Sequence, residues 1–100
     1  MLSIVTHCAD NKNYVPAVFQ DEKSAYFYMK YRAAIDIRDS HKVDNPKFDP
    51  NVVLYTEEDV LKYANDILEY AKKNFDNVSI DNNIIVLSNI NEVWQIFSYA

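Results

Sequence analysis

The chain has 100 residues, of which 49% are hydrophobic and none is glycine, and its 10 Lys and Arg against 15 Asp and Glu leave a net charge of −5. This is one domain, residues 1–100, large enough to bury an ordinary core without disulfides or a structural metal. The acidity disfavours phosphate backbones and anionic membranes as direct partners, and the missing glycine excludes glycine-rich phosphate loops, dinucleotide fingerprints and nucleophile elbows.

Leu2 to His7 alternates as a strand does, with Ile4 and Thr6 set against Val5 and His7. Ala9 to Asn13 reads as a turn. There Asp and Asn, the side chains that best tolerate positive φ, replace glycine. Tyr14 to Gln20 returns as a second strand, and Pro16, which cannot donate to a ladder, assigns it to an edge.

Asp21 caps the helix that follows, and Glu22 in its first turn matches the positive end of the dipole. At about 100° per residue, Tyr26, Met29, Ala33 and Ile37 form one apolar stripe of this helix. Phe27, Tyr28, Tyr31, Ala34 and Ile35 form another on the far side. A helix apolar on two sides is sandwiched between layers, subunits or partners.

Asp39 to Asn51 reads as a long loop with turn signals at Asp44-Asn45-Pro46 and Asp49-Pro50. Val43 and Phe48 are placed to pin it over the first helix. Val52 to Tyr55 reads as a short buried strand. A second helix then opens on Thr56, with Asp59 at the capping-box position, and closes on Lys72, Lys73 and Asn74. Its apolar arc runs through Val60, Ala64, Ile67 and Ala71. Polar residues fill the opposite half.

Asn77 to Ile80 and Ile84 to Leu87 form a hairpin about Asp81-Asn82-Asn83. From Asn89 onward two readings compete. A capping box with Glu92 and the spacing of Ile90, Val93, Trp94 and Phe97 favour a short helix, whereas the β-branched and aromatic content argues for a strand. The helix is the reading adopted. The expected architecture is α+β, a two-layer sandwich in the order ββαβαββα. Its mixed sheet has about five strands, one pair of them parallel through the second helix, and carries two or three helices.

Few residues invite chemistry. His7 and Cys8 are neighbours on a strand and so point to opposite faces. His41 lies in a polar loop. The carboxylates around Asp76 and Asp81, or around Asp39, Asp44 and Asp49, lack the alternating ligands and closing glutamate of a calcium loop. No nucleophile with a base, no cofactor motif and no metal set is legible. The expectation is a protein that is not an enzyme.

Binding is the better-supported reading. Eight tyrosines combine contact area with few rotatable bonds. The expected partner surface joins Tyr28, Tyr31 and Ile35 on the helix, Phe48 and Asp49 in the loop, and Glu57 and Glu58 at the second helix start. Asn, Lys, Ile, Tyr and Phe, with AT-rich codons, total 41 residues against 13 for Gly, Ala, Arg and Pro. An AT-rich virus or mobile element is the indicated origin. The concrete expectation is an inhibitor that masks a host defence or nucleic-acid-processing protein, its carboxylates competing with phosphate. Two alternatives stand beside it: a symmetric homodimer through the first helix, and a small-molecule binder with a pocket of tyrosines and Trp94. With one cysteine and no apolar segment of spanning length, the expected location is the cytoplasm, the host's if the protein is viral.

Overall fold

The computed structural model describes residues 2–40 and 48–99. The α+β class is what forms, but the sheet has six strands and every pairing in it is antiparallel. In chain order the elements are β1 (Leu2–Ala9), β2 (Lys12–Asn13), β3 (Ala17–Phe19), α1 (Glu22–Ser40), α2 (Glu57–Asn74), β4 (Val78–Ile80), β5 (Ile84–Leu87) and β6 (Glu92–Tyr99). The strands lie in the order β2-β1-β6-β5-β4, with β3 also paired to β1. The long central pair aligns β1 with β6 from Leu2↔Tyr99 to Ala9↔Glu92.

The segment read as a helix after Asn89 is therefore largely strand. Glu92, Trp94 and Ile96 are buried, and Val93 and Gln95 between them are less so. This period of two is incompatible with the helical stripe the same residues could have made. Only a single 3-10 turn at Ser88–Ile90 remains of the expected helix. Its C-cap Asn91 is left-handed at φ 49°, as Asp10 and Asn11 are in the β1–β2 turn. These are positions a glycine would ordinarily take; Asp and Asn replace it in the 9–13 turn as expected, whereas the left-handed Asn91 falls inside the expected helix.

Two further expectations are corrected. Val52 to Tyr55 forms no strand, and Val53 and Tyr55 are largely exposed. The parallel crossover through α2 therefore does not exist: β6 has β1 on one side and β5 on the other, so this segment finds no vacant central position. Tyr14 to Pro16 also stays out of the sheet, consistent with the missing N–H of Pro16. The loop expected over Asp39 to Asn51 begins later, because α1 runs to Ser40; Val43 lies outside the described residues.

Helix α1 opens on Asp21, whose carboxylate accepts from the Ser24 backbone N–H at 2.7 Å and from its hydroxyl at 2.9 Å. These bonds hold the carboxyl below its ordinary value. Helix α2 carries the predicted capping box, with Asp59 N–H donating to Thr56 Oγ1 and Thr56 N–H donating to Asp59 Oδ2. Both helices lie on one face of the sheet. α1 packs on β1, β3 and β6 and along α2, which in turn reaches β4. One core results, joining Ala25, Met29, Ala33 and Ile37 of α1, Ala64, Ile67 and Ala71 of α2, and Val5, Ile85, Leu87 and Trp94 of the sheet. The alanines let the helices approach closely. Both apolar sides of α1 are thus met by other parts of the same chain. No described helix is long and apolar enough to cross a membrane.

Candidate functional site

At one end of the β1–β6 pair the covered face of the sheet turns polar. His7 and Trp94 are cross-strand partners, and Glu92 stands two residues before Trp94 on the same face. Their position is set by two left-handed turns. Asp10 N–H donates to Asn91 C=O at 3.2 Å, tying the β1–β2 turn to the start of β6.

Glu92 is 4% exposed, and both of its oxygens are used. Trp94 Nε1–H donates to Oε1 at 2.8 Å, and His7 Nε2 lies 2.8 Å from Oε2. With His7 neutral, the tautomer that donates to Glu92 carries its proton on Nε2. The imidazole is clamped between two rings. Trp94 stacks on one side at 3.6 Å between centroids and Tyr14 on the other at 4.7 Å. Tyr14 is brought there by its backbone N–H, which donates to His7 C=O at 2.9 Å.

The third polar group comes from α1. Tyr28, Arg32 and Asp36 follow one another at intervals of four and so share a helix face. Tyr28 meets Trp94 edge-on and also contacts Phe19. The Arg32 guanidinium lies 5.8 Å from the Tyr28 ring centroid and 5.9 Å from that of Trp94, a cation–π arrangement. Asp36 faces Glu92, with its donor atom within 4.8 Å of those of Glu92 and His7. Burial first, and then the bond to and charge of Glu92, push the Asp36 carboxyl up to about 7. Burial and the Arg32 charge hold His7 below its ordinary value, although Asp36 opposes them. Low dielectric and the neighbouring carboxylate both disfavour the charged form of Asp36, so it keeps its proton up to about neutral pH. A strongly perturbed carboxyl of this kind marks a functional-site candidate.

Among the described residues, His7, Asp36 and Glu92 are the group of three whose donor atoms could surround a metal ion. Sequence reasoning singled out His7 but missed the other two. In the sequence Glu92 reads as the partner in a helix cap, and Asp36 falls outside both apolar stripes of its helix. The available signal was Glu92 alternating with Trp94 and Ile96, which on a strand places a carboxylate on the apolar side. Cys8 falls on the opposite face from His7, as expected of neighbours on a strand. His41 and Asp44 lie outside the described residues.

The expected partner surface is dispersed. Tyr28, Tyr31 and Ile35 are half-buried and pack against the core, and Phe48 is 4% exposed. The Phe48 ring meets Tyr63 and Tyr70, while Tyr63 Oη donates to Phe48 C=O at 3.0 Å. Asp49, Glu57 and Glu58 are exposed. Glu57 also borders a groove of about 240 Å³ with Lys23, Tyr26, Phe27, Lys30 and Leu61.

A second surface emerges only from the sheet. The face of β1 and β6 away from the helices carries Leu2, Ile4, Thr6 and Cys8 opposite Val93, Gln95, Phe97 and Tyr99. Ile84 and Val86 of β5 and Val18 of β3 extend it. None of these side chains is charged. Leu2 is 41%, Phe97 40%, Tyr99 55% and Val18 58% exposed. Compared with known proteins, the chain matches no family, no curated protein and no solved structure at a significant level.

Proposed function

We propose that this protein is a non-enzymatic protein-binding module whose principal contact surface is the uncharged back of its sheet, and that the first occupant of that surface is a second copy of the chain. The supporting observation is the composition of the face: aliphatic and aromatic side chains, with Thr6 and Gln95 at its centre and no charge, on a chain of net charge −5. Contiguous apolar surface of this kind is uncommon on a monomer. The net negative charge disfavours contact between two copies in general, whereas here they meet without like charges facing each other. An isologous contact pairs each residue with its counterpart across a twofold axis. Two such faces stack at about 10 Å, as in a β-sandwich.

The helix layer stays free in this arrangement, and with it the exposed Asp49, Glu57 and Glu58. A narrower form of the reading is an inhibitor of viral or mobile-element origin that sets these carboxylates against the basic groove of a host nucleic-acid-processing protein. It draws on the AT-rich coding and on those exposed acids, and it requires a complex that weakens as salt is raised.

Light scattering over a range of concentrations tests the self-association. The expected mass is twice the 11.7 kDa of the chain. Phe97→Glu or Val18→Lys, at exposed positions, returns it to that of a monomer while the folded state is retained. A monomer at every concentration, or a dimer indifferent to both substitutions, refutes the proposal.

A further inference from the structure

The polar end of the β1–β6 pair supports an inference independent of the sheet's back. We propose that His7, Asp36 and Glu92 form a binding site for a divalent transition-metal ion of the zinc class.

The geometry has three parts. First, one donor atom from each residue, the Nε2 side of His7 and an oxygen each of Asp36 and Glu92, lies within 4.8 Å of the others. They come from β1, α1 and β6, so the tertiary fold converges them and no local turn does. An ion with bonds of about 2.1 Å sits among donors roughly 3–3.5 Å apart. Closing on it needs side-chain adjustment of about an ångström. Second, the donors are already oriented from behind. Trp94 Nε1–H holds Glu92 Oε1 and leaves Oε2 facing the cluster, while Tyr14 and Trp94 fix the plane of the imidazole. Such outer contacts orient ligands and raise their affinity. Third, the local charge is unbalanced. Arg32 is spent on the faces of Tyr28 and Trp94 and makes no ion pair with either carboxyl among the described contacts. A divalent ion seated among the three donors meets both carboxyls directly.

The chemical class follows from the donor set. An imidazole nitrogen with two carboxylates suits zinc and its first-row neighbours, whereas calcium and magnesium prefer oxygen alone. Three protein donors leave a fourth position for water.

The test uses the full chain, stripped with a chelator, with Cys8→Ser and His41→Gln removing the other thiol and imidazole. Calorimetric titration with zinc chloride is expected to give one ion per chain. Asp36→Asn, at a half-buried position that tolerates the amide, weakens binding by about tenfold or more, and Trp94→Phe by about 10–100-fold through loss of the contact behind Glu92. Manganese chloride broadens the NMR signals of the His7 ring and the Trp94 indole N–H before any others. No zinc heat at protein concentrations suited to micromolar binding overturns the proposal. So does zinc binding unaltered by Asp36→Asn, or broadening centred elsewhere on the chain.

Discussion

His7 and Trp94 are cross-strand partners on β1 and β6, and their rings stack with centroids 3.6 Å apart and planes within 7°. The same indole donates to Glu92, which also bonds His7, so one side chain orders both members of the polar pair. Trp94 is 1% exposed and meets Tyr28 edge-on. It therefore joins the hydrophobic core to the buried carboxylate.

Trp94→Phe should remove the N–H donor and leave Glu92 Oε1 unsatisfied within the core. The unsatisfied acceptor and the cavity together cost about 2–4 kcal/mol. Urea unfolding followed by circular dichroism measures this. A loss below half a kilocalorie per mole contradicts the role given to the indole.

The Asp36 carboxyl predicts a pH dependence for the metal-free protein. Its folded pKa, about 7, lies above the ordinary value of 3.8, so between these values the folded chain holds the proton more tightly than the unfolded chain. The stabilisation is complete below the unfolded pKa and is lost as pH rises through about 7. His7 faces the same cluster with the opposite sign: its pKa is lowered, so protonation destabilises the fold as pH falls below the ordinary 6.5. Glu92 and Arg32 complete the charges around the pair. Melting temperatures from about pH 5 to about pH 8 should show a decline toward alkaline pH that Asp36→Asn removes. An unchanged profile in the variant rejects the assignment.

Asn91 adopts φ 49° immediately before the buried Glu92. Alanine there should cost about 1 kcal/mol because its Cβ crowds the backbone in this region, whereas glycine should fall within a few tenths of the wild type. Equal stability of the alanine and glycine variants in urea would show that the turn relaxes without cost.

Tyr28 contacts Phe19 and Trp94 and lies beneath Arg32. Tyr28→Ala should lower stability by about 2–3 kcal/mol as a partly buried aromatic truncation. Its effect on the mass measured by light scattering should be small at concentrations where the variant remains folded. The reverse outcome, lost association with unchanged stability, would return the contact surface to α1.

The elements that local chemistry specifies were legible in the chain. Thr56 with Asp59, Asp21 at the start of α1, and the left-handed Asp10 and Asn11 each act over a few residues, and each appears where residue type and spacing place it. The amphipathic arc of α2 is equally local, since a helix that buries one face writes it at a fixed period. What the order of residues left open was decided by contacts distant in sequence. Glu92–Tyr99 satisfied a cap and a helical spacing on paper, yet pairing with β1 on one side and β5 on the other satisfies both of its edges and makes it a strand. That choice displaced Val52–Tyr55 from the sheet, turned Glu92 inward beneath Asp36, and left the other face of β1 and β6 uncovered by either helix. Residues 7, 36 and 92 meet because two strands and a helix pack together. No local pattern records such a meeting, because its energy comes from burial and pairing between segments far apart along the chain.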